Sequence, residues 1–363
     1  MTKGIESTSA GGGMPGTGLV RPLFEGPIDV IGDVHGELAA LTDLIAALGY
    51  DADGVHPDGR RLVFVGDLCD RGPDSPGVLR WVQRLVEAGR AQAIAGNHEL
   101  NLLRREQKHG NNWFFGDAHH HDFGACVAIS KADQEPILAF LRTLPIALER
   151  ADLRIVHAAW IPEAIAQCRE IDAPLDSAYT TFEAAMTATP EYADLKARHD
   201  REHELHKAAL KSDTVAPPLT AIGPYDEYCQ MGNPIRVITS GVERLNQQPF
   251  FASGKWRYVD RVPWWREYED DVPVLFGHYW RWWDPSVHTA LSKGEPQLFH
   301  DDPVGPFMAD DHRAFCVDFS VGGRYKQRLL NHEPPYHGRL AAMRWPERTL
   351  VYDGEDPRPV GAS

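Results

Sequence analysis

Three short apolar runs in the first hundred residues, each followed by a glycine-rich polar turn, constrain the fold of this chain more than any other feature. The runs cover residues 28–31, 62–65 and 91–95. Residues 37–48 carry leucine and isoleucine at helical spacing. Ser75 is expected to cap a second helix, with Pro76 at the first position of that helix. The order strand, helix, strand, helix, strand predicts a parallel sheet with helices on its faces.

Two later apolar runs repeat the pattern of a strand that ends in a polar residue. Residues 153–156 lead into His157, and residues 272–276 lead into His278. The last apolar runs predict an antiparallel meander that closes a second sheet, and they cover residues 315–319, 340–345 and 349–352. The predicted fold class is α/β: a four-layer αββα sandwich of two mixed β-sheets flanked by helices, with a partly helical insertion.

The predicted domain organisation is a tail followed by one domain. Residues 1–24 are rich in glycine and serine and predict a flexible N-terminal tail. Residues 25–355 form the domain, with an insertion at about 161–265. The insertion is predicted to be helical over 182–210 and loop-like around 216–234, where prolines cluster.

The charge balance and the cysteine content narrow the class of protein. The chain has 363 residues, of which 52 are acidic and 37 are basic, and its formal net charge is −15. This balance argues against nonspecific binding to nucleic acid, which requires a basic surface. The five cysteines are scattered, no apolar stretch reaches the ~18 residues of a membrane helix, and the N-terminus lacks the apolar core of a secretory signal. We therefore expect a cytoplasmic protein with no nucleic-acid or membrane partner.

Polar side chains that can bind metals follow five of the predicted strands. Ligand sites of open α/β sheets lie outside the carboxyl ends of the strands, so these side chains are expected to converge. Six of them offer oxygen or nitrogen donors, which is too many for one ion and suits two ions if Asp67 bridges them. The six are Asp33, His35, Asp67, Asn97, His157 and His278.

The motifs around these residues resemble a known family. Gly-Asp-Val-His-Gly, Gly-Asp-Leu-Cys-Asp-Arg-Gly and Gly-Asn-His-Glu, followed by His157 and Gly-His278, resemble the calcineurin-like metallophosphoesterases. Within that superfamily the chain is similar to the phosphoprotein-phosphatase branch, which includes bacterial phosphatases and symmetrical diadenosine tetraphosphatases. The resemblance spans roughly residues 28–120, 150–160 and 272–345.

The resemblance implies a role for each matching residue. Asp33 and His35 would hold one metal ion together with the bridging Asp67. The second ion would be held by Asn97, His157 and His278. Asp70 would orient His98, which protonates the leaving oxygen, and Arg71 would clamp the phosphate oxygens.

The implied reaction is attack on phosphorus, in line with the leaving group, by a hydroxide that bridges the two ions, without a phosphoenzyme. Two divalent cations are the expected cofactors. Manganese is predicted because the ligands are imidazole, carboxylate and amide without thiolate, and iron or zinc would also fit.

Two departures from the family pattern bear on this prediction. Many phosphodiesterases and nucleases of the superfamily end with Gly-His-x-His, but Trp280 stands at the last of these positions, which favours the phosphatase branch. No motif identifies the second substrate-clamping arginine of the protein phosphatases, for which Arg236 and Arg261 are the candidates.

Three functions remain open from the sequence. The first is hydrolysis of phosphate monoesters, in phosphoproteins or small phosphates. The second is symmetrical hydrolysis of dinucleoside polyphosphates such as diadenosine tetraphosphate, to which Gly-Asn-His-Glu-Leu-Asn-Leu-Leu bears a slight resemblance. A tryptophan cluster around residues 256–283 could stack on a nucleobase, although packing of the insertion is the favoured interpretation. The third is a metal-free, catalytically silent scaffold that binds a partner through the tryptophan-rich insertion.

Overall fold

Two five-stranded mixed sheets form the frame of the molecule, and a separate hairpin lies in the insertion. The computed structural model describes residues 18–116, 126–252, 254–282, 296–299 and 313–354. In chain order the strands are β1 Val20–Pro22, β2 Ile28–Ile31, β3 Arg61–Phe64, β4 Ala91–Ala93, β5 Ala147–Arg150, β6 Leu153–Val156, β7 Glu243–Ala252, β8 Lys255–Arg261, β9 Val274–Phe276, β10 Ala314–Cys316, β11 Ala341–Trp345 and β12 Thr349–Tyr352.

Eleven α-helices are present among the described residues. They are α1 Leu38–Leu48, α2 Ser75–Glu87, α3 Asn97–Leu103, α4 Asn112–Phe115, α5 Lys131–Arg142, α6 Pro162–Arg169, α7 Leu175–Thr187, α8 Pro190–His206, α9 Ile222–Met231, α10 Pro234–Ser240 and α11 Arg324–Leu329. In the described parts of the chain, no helix is both long enough and apolar enough to cross a membrane.

The first sheet has the strand order β12-β11-β2-β3-β4. Strands β2, β3 and β4 are parallel, as the alternation of strands and helices predicts. The second sheet has the order β1-β5-β6-β9-β10, in which β6, β9 and β10 run parallel. The carboxyl ends of β2, β3 and β4 and of β6 and β9 carry all the residues that the sequence assigns to a metal site.

Side chains of both sheets divide between two apolar layers. Val63 and Leu275 belong to one buried cluster that the two sheets share. Phe64 and Phe276, the next residues, belong to a second cluster that also contains Leu44 of α1. Because successive side chains of a strand point to opposite faces, each sheet packs on the other sheet through one face and on helices through the other. The predicted sandwich of two mixed sheets between helices is confirmed.

The predicted tail is wrong for residues 18–24. Leu19 and Leu23 are buried, and Val20 lies opposite Ala147 where β1 pairs in parallel with β5. Two apolar side chains anchor this segment, and the glycine-rich composition around them conceals that. Residues 1–17 lie outside the described part of the chain.

The insertion contains more helix than the sequence predicts. Its helical start is confirmed by α7 and α8, but the predicted loop over 216–234 contains α9 and the start of α10. Pro224 lies in the first turn of α9 and Pro234 is the first residue of α10, where a proline has no backbone hydrogen bond to lose. The Asn233 side chain caps α10 by accepting from the backbone N–H of Ile235 at 3.0 Å.

Two further expectations are wrong in detail. The C-terminal strands do not form one meander, because β10 pairs with β9 in the second sheet whereas β11 and β12 extend the first. The cap of α2 is Asp74, which accepts from the Gly77 N–H at 2.8 Å, and not Ser75. The Ser75 hydroxyl instead accepts from the backbone N–H of Asp70 at 2.8 Å and so supports the loop after β3.

Candidate metal centre

The structure brings together the side chains that follow five strands. Asp33 and His35 come after β2, Asp67 after β3, and Asn97 starts α3 just beyond β4. His157 and His278 follow β6 and β9 of the second sheet. All six sequence-predicted ligand residues therefore lie at one edge of the sandwich, where both sheets end.

Asp67 lies between two groups of potential ligands. On one side, His35 Nε2 lies 3.7 Å from Asp67 Oδ2 and 3.8 Å from Asp33 Oδ2. On the other side, His157 Nε2 lies 3.4 Å from Asp67 Oδ1 and 3.3 Å from the side-chain oxygen of Asn97. This is the arrangement that a bridging carboxylate requires.

His278 completes the second group. Its Nδ1 lies 2.9 Å from the Asn97 Oδ1, and its ring centroid is 5.3 Å from that of His157. Its backbone N–H donates to both carboxylate oxygens of Asp33, at 3.2 and 3.1 Å. His278 thereby links the two groups.

Sharp turns after the strands direct these side chains toward the centre. Asp67 has a backbone φ of 48°, His35 of 47° and His278 of 72°, in the left-handed region that non-glycine residues rarely adopt. Such conformations cost of order 1–3 kcal/mol each and persist only where the surrounding structure enforces them. Their concentration at one edge of the sandwich marks it as a candidate functional site.

Two glycines allow the loops to approach each other closely. A Cβ atom at Gly96 would lie 2.3 Å from Asp67 Oδ1, and one at Gly277 would lie 2.0 Å from Asp33 Oδ1. Any larger residue at either position would displace a carboxylate from the centre.

The electrostatics of the centre are those of a site that binds positive charge. Burial and the neighbouring Asp318 carboxylate raise the pKa of Asp33 well above its usual range. Burial by itself would raise the pKa of Asp67, but the imidazoles of His157 and His98 hold it well below its usual range. Burial opposes protonation of His157, yet the Asp67 carboxylate raises its pKa to about 10. Carboxylates and ring nitrogens this close favour a cation among them.

The hydrogen bonds of the histidines fit metal ligands. The Nδ1–H of His157 donates to the Val65 carbonyl at 2.8 Å, and that of His35 donates to the Cys69 carbonyl at 3.1 Å. Each Nε2 therefore directs a lone pair into the centre, as metal-binding histidines do. The Nε2 of His278 is buried and has no hydrogen-bond partner among the described residues. The donor set therefore fits two divalent cations.

His98 and Asp70 form a buried pair at the edge of the centre. The Nδ1 of His98 donates to Asp70 Oδ2 at 2.5 Å, and its Nε2 lies 3.9 Å from Asp67 Oδ2. The second Asp70 oxygen accepts from the indole N–H of Trp113 at 2.6 Å. Trp113 is buried, and no motif in the sequence points to it.

Glu99 is a second supporting residue that the sequence analysis missed. Its buried carboxylate accepts from the backbone N–H groups of Asp67, Leu68 and Gly96 at 2.8–2.9 Å. It therefore ties the turn after β3 to the start of α3. Its position three residues after Gly96, where a capping box places Glu, is the signal that could have identified it.

Arg71 lies over the centre. Its Nη1 donates to His35 Nε2 at 2.6 Å, and its guanidinium carbon lies 4.8 Å from the centroid of the Trp280 ring. Trp280 has a φ of 53°, which is unusual for a bulky residue. The aromatic face therefore limits where the Arg71 guanidinium can move.

The two candidates for a second clamping arginine have different surroundings. Arg236 lines a cavity that also borders Asn97. Arg261 ends β8, and after burial its positive charge contributes most to holding the pKa of His278 well below its usual range. The structure thus brings both arginines near the second ligand group.

Two of the five described tryptophans of the cluster, Trp264 and Trp282, are buried, and Trp265 is partly buried against the core. Trp264 and Trp265 lie against Phe276, with ring centroids 5.1 and 5.3 Å away. This agrees with packing as the favoured interpretation. Trp283 lies outside the described residues.

Comparison with known proteins agrees with the motifs. Residues 26–157 match the family model of the calcineurin-like phosphoesterases. A relative from Geobacillus sp. (strain WCH70), an asymmetrical bis(5'-nucleosyl)-tetraphosphatase, is 48% identical over 80 residues, which are 21% of this chain and 33% of the relative. A symmetrical bis(5'-nucleosyl)-tetraphosphatase from Methylococcus capsulatus is 35% identical over 158 residues, 41% of this chain and 50% of the relative. The chain thus spans between a third and a half of the length of these relatives.

A solved structure of a cold-active protein-tyrosine phosphatase from a Shewanella species is also similar, with a TM-score of 0.40 and 15% identity over 92% of this chain and 82% of that one. The sequence match confirms the resemblance predicted from the motifs: residues 26–157 are similar to the calcineurin-like phosphoesterases.

Proposed function

We propose that this protein is a metal-dependent phosphoesterase that hydrolyses phosphate esters at the centre around Asp67. The observation that carries the proposal is the convergence of five other donor residues on the buried Asp67 carboxylate, with two histidine Nε2 atoms aimed into the site. The family match over residues 26–157 supports it independently.

The ligand roles follow the two groups on either side of Asp67. Asp33 and His35 would hold one cation, and Asn97, His157 and His278 the other, with Asp67 shared. Two divalent cations at such a site lower the pKa of a water molecule and neutralise charge on the attacking and departing oxygens. Imidazole, carboxylate and amide donors without thiolate suit manganese, and iron or zinc would also fit.

The remaining residues would bind the phosphoryl group and move a proton. Arg71 offers a planar fork of N–H donors to phosphate oxygens. His98 would donate the proton of its Nε2 to the leaving oxygen, because its Nδ1 is held by Asp70 and only Nε2 is directed to the centre. Trp113 would keep Asp70 in the orientation that His98 needs.

Phosphate monoesters are the first candidate substrates, since the centre itself needs to hold only one phosphoryl group. Dinucleoside tetraphosphates are the second candidate. The names of the Geobacillus and Methylococcus relatives favour them, and so does the cationic cavity that adjoins Asn97. All five cysteines are free, which suits the predicted cytoplasmic location.

The test is hydrolysis by the Mn²⁺-loaded protein of p-nitrophenyl phosphate and, separately, of diadenosine tetraphosphate, with products resolved by chromatography. Release of p-nitrophenol with the dinucleotide untouched would support a monoesterase. Conversion to two ADP would support the symmetrical tetraphosphatase, and conversion to ATP and AMP the asymmetrical one. Failure with both substrates, together with failure to bind metal under any loading, would favour the scaffold instead.

A further inference from the structure

A polar cavity of about 280 Å³ adjoins the metal centre on the side of Asn97. Its volume is near the lower end of the ~300–1,000 Å³ of pockets that hold small molecules. We call it the α3 cavity, because helix α3 and the loop after it form one wall and the insertion forms the other. Its lining residues are Asn97, Leu100, Asn101, Arg104, Glu106, Lys108, Tyr179, Gln230, Arg236 and Ser240.

The charge of the α3 cavity is opposite to that of the whole chain. Among the lining residues the structure describes, Arg104, Lys108 and Arg236 are basic and Glu106 is acidic. The chain as a whole carries a formal net charge of −15. Three basic side chains beside the metal centre would attract an anion.

Arg236 is fixed in place before any ligand arrives. It donates to the Tyr179 hydroxyl at 2.5 Å and to the Cys229 carbonyl at 3.1 Å, and it pairs with Glu183 at 2.9 Å. Glu183 does not line the cavity, so it holds Arg236 from behind. An arginine held in this way costs little further entropy when an anion binds.

Arg104 is as exposed as Arg236, and Lys108 is more exposed than either. The Arg104 guanidinium carbon lies 4.1 Å from the centroid of the Tyr179 ring, and Arg104 and Lys108 share the Glu106 carboxylate at 2.5 and 2.9 Å. One carboxylate shared by two cations leaves positive charge for a ligand. Arginine also presents further N–H donors that can bind phosphate oxygens.

We propose that the α3 cavity binds a second phosphoryl group of the substrate, joined through a phosphoanhydride to the group held at the metal centre. The inference rests on the proposed function, and it assigns the α3 cavity to the second class of candidate substrate, small molecules with a polyphosphate chain. Asn97 belongs to both sites, so the two sites are adjacent, as neighbouring phosphoryl groups of one chain require.

The first experiment compares the Arg104→Gln/Lys108→Gln double variant with the wild type, both loaded with Mn²⁺. The ratio of kcat/KM for diadenosine tetraphosphate to that for p-nitrophenyl phosphate is expected to fall by about 10- to 100-fold, the size of a lost charge-assisted contact. Arg105→Gln is the matched control, because Arg105 neighbours Arg104 but pairs with Glu135 away from the cavity. An unchanged ratio in the double variant, or an equal fall in the control, would overturn the proposal.

The second experiment measures binding without turnover. Calorimetric titration of the metal-free protein with inorganic tripolyphosphate should show binding that the double variant weakens by a similar factor and that Arg105→Gln retains. If the wild type hydrolyses neither substrate but binds tripolyphosphate, and the double variant loses that binding, the result would support the anion site and contradict the proposed function. If the wild type hydrolyses p-nitrophenyl phosphate but the wild type and the double variant bind tripolyphosphate equally, the result would support the proposed function and contradict the anion site.

Whether the α3 cavity holds part of the nucleotide substrate is also testable. If the double variant weakens tripolyphosphate binding but leaves diadenosine tetraphosphate hydrolysis at the wild-type ratio, the site does not hold part of the nucleotide and the proposal fails. Thermal unfolding of each variant confirms that it is folded before any comparison.

Discussion

The metal centre and the α3 cavity share Asn97 but are built in opposite ways. The centre takes its side chains from tight turns after strands, and His35, Asp67 and His157 are no more than 2% exposed. The cavity takes its charges from helix ends and loops, and the Arg104 and Lys108 side chains are 24% and 52% exposed. A change in the buried centre leaves uncompensated charge, whereas a change at the half-exposed cavity is partly compensated by water. Substitutions in the metal centre should therefore greatly reduce the rate of hydrolysis. Substitutions in the α3 cavity should change the preference between substrates by smaller factors.

The substitution Asp67→Asn should have the largest effect. The amide keeps the size of the side chain but removes the negative charge shared by both ligand groups, so we expect loss of both metal ions and of all measurable hydrolysis. Metal content of the purified variant, by elemental analysis, is the measurement. Two tightly bound ions in a folded Asp67→Asn protein would show that this carboxylate does not bridge them.

His98→Ala should retain both ions and lose rate. General acid catalysis contributes typically ~10²–10⁴-fold, so kcat should fall within that range. The fall should be smaller for p-nitrophenyl phosphate than for an alkyl phosphate, because nitrophenolate leaves without needing a proton. Loss of one metal ion would instead make His98 a ligand, since its Nε2 lies 3.9 Å from Asp67.

Glu99→Gln should weaken metal binding without removing a ligand. The amide cannot accept from all three backbone N–H groups that the carboxylate binds, so the turn that carries Asp67 loses support. Changes in residues that support metal ligands typically cost ~10–100-fold in affinity. Titration of the metal-free variant with Mn²⁺ measures this, and an unchanged affinity would limit Glu99 to a role in folding.

Trp113→Phe should have a smaller effect on rate and a measurable effect on stability. It leaves a buried Asp70 oxygen without its donor, which costs about 1–3 kcal/mol in the free energy of unfolding. We expect a fall in kcat, because the Asp70–His98 pair is no longer fixed. Trp81→Phe is the matched control, since the Trp81 indole donates to the Ala52 carbonyl at 3.2 Å away from the site. Equal changes in both variants would remove Trp113 from the mechanism.

Arg198→Ala should have the smallest effect. Arg198 lies on α8, a helix without a buried residue, and pairs with Asp194 at 3.4 Å in an exposed position. Exposed pairs of this kind contribute little. We expect unchanged hydrolysis and an unchanged unfolding temperature, and a clear loss of either would show that α8 is coupled to the site.

Much of the centre could be predicted because its information is local. The apolar run before Asp67 and the glycines around it are contiguous in sequence, and a strand followed by a glycine turn is a local pattern. Asp318 also follows a strand, β10, and is buried, but the apolar residues on both sides of it hide the end of that strand in the sequence.

Other features depend on partners far along the chain. Trp113 forms a hydrogen bond with Asp70, which lies 43 residues away in the sequence, and β1 pairs with β5, which lies more than a hundred residues away. Helices α9 and α10 begin at or near prolines that composition alone assigns to a loop. Neither spacing nor composition encodes these contacts, because they arise when separate elements pack together.

The sequence by itself determined the resemblance to the calcineurin-like phosphoesterases, the two-sheet sandwich and the six donor residues that converge at its edge, because strand periodicity and glycine turns are set by neighbouring residues. The tertiary structure alone decided which sheet receives β10, which side chains support His98 and Asp67, and that Arg104 and Arg236 meet beside Asn97. The physical reason is that burial and charge pairing depend on distances in space, which residues separated along the chain acquire only after the elements have packed.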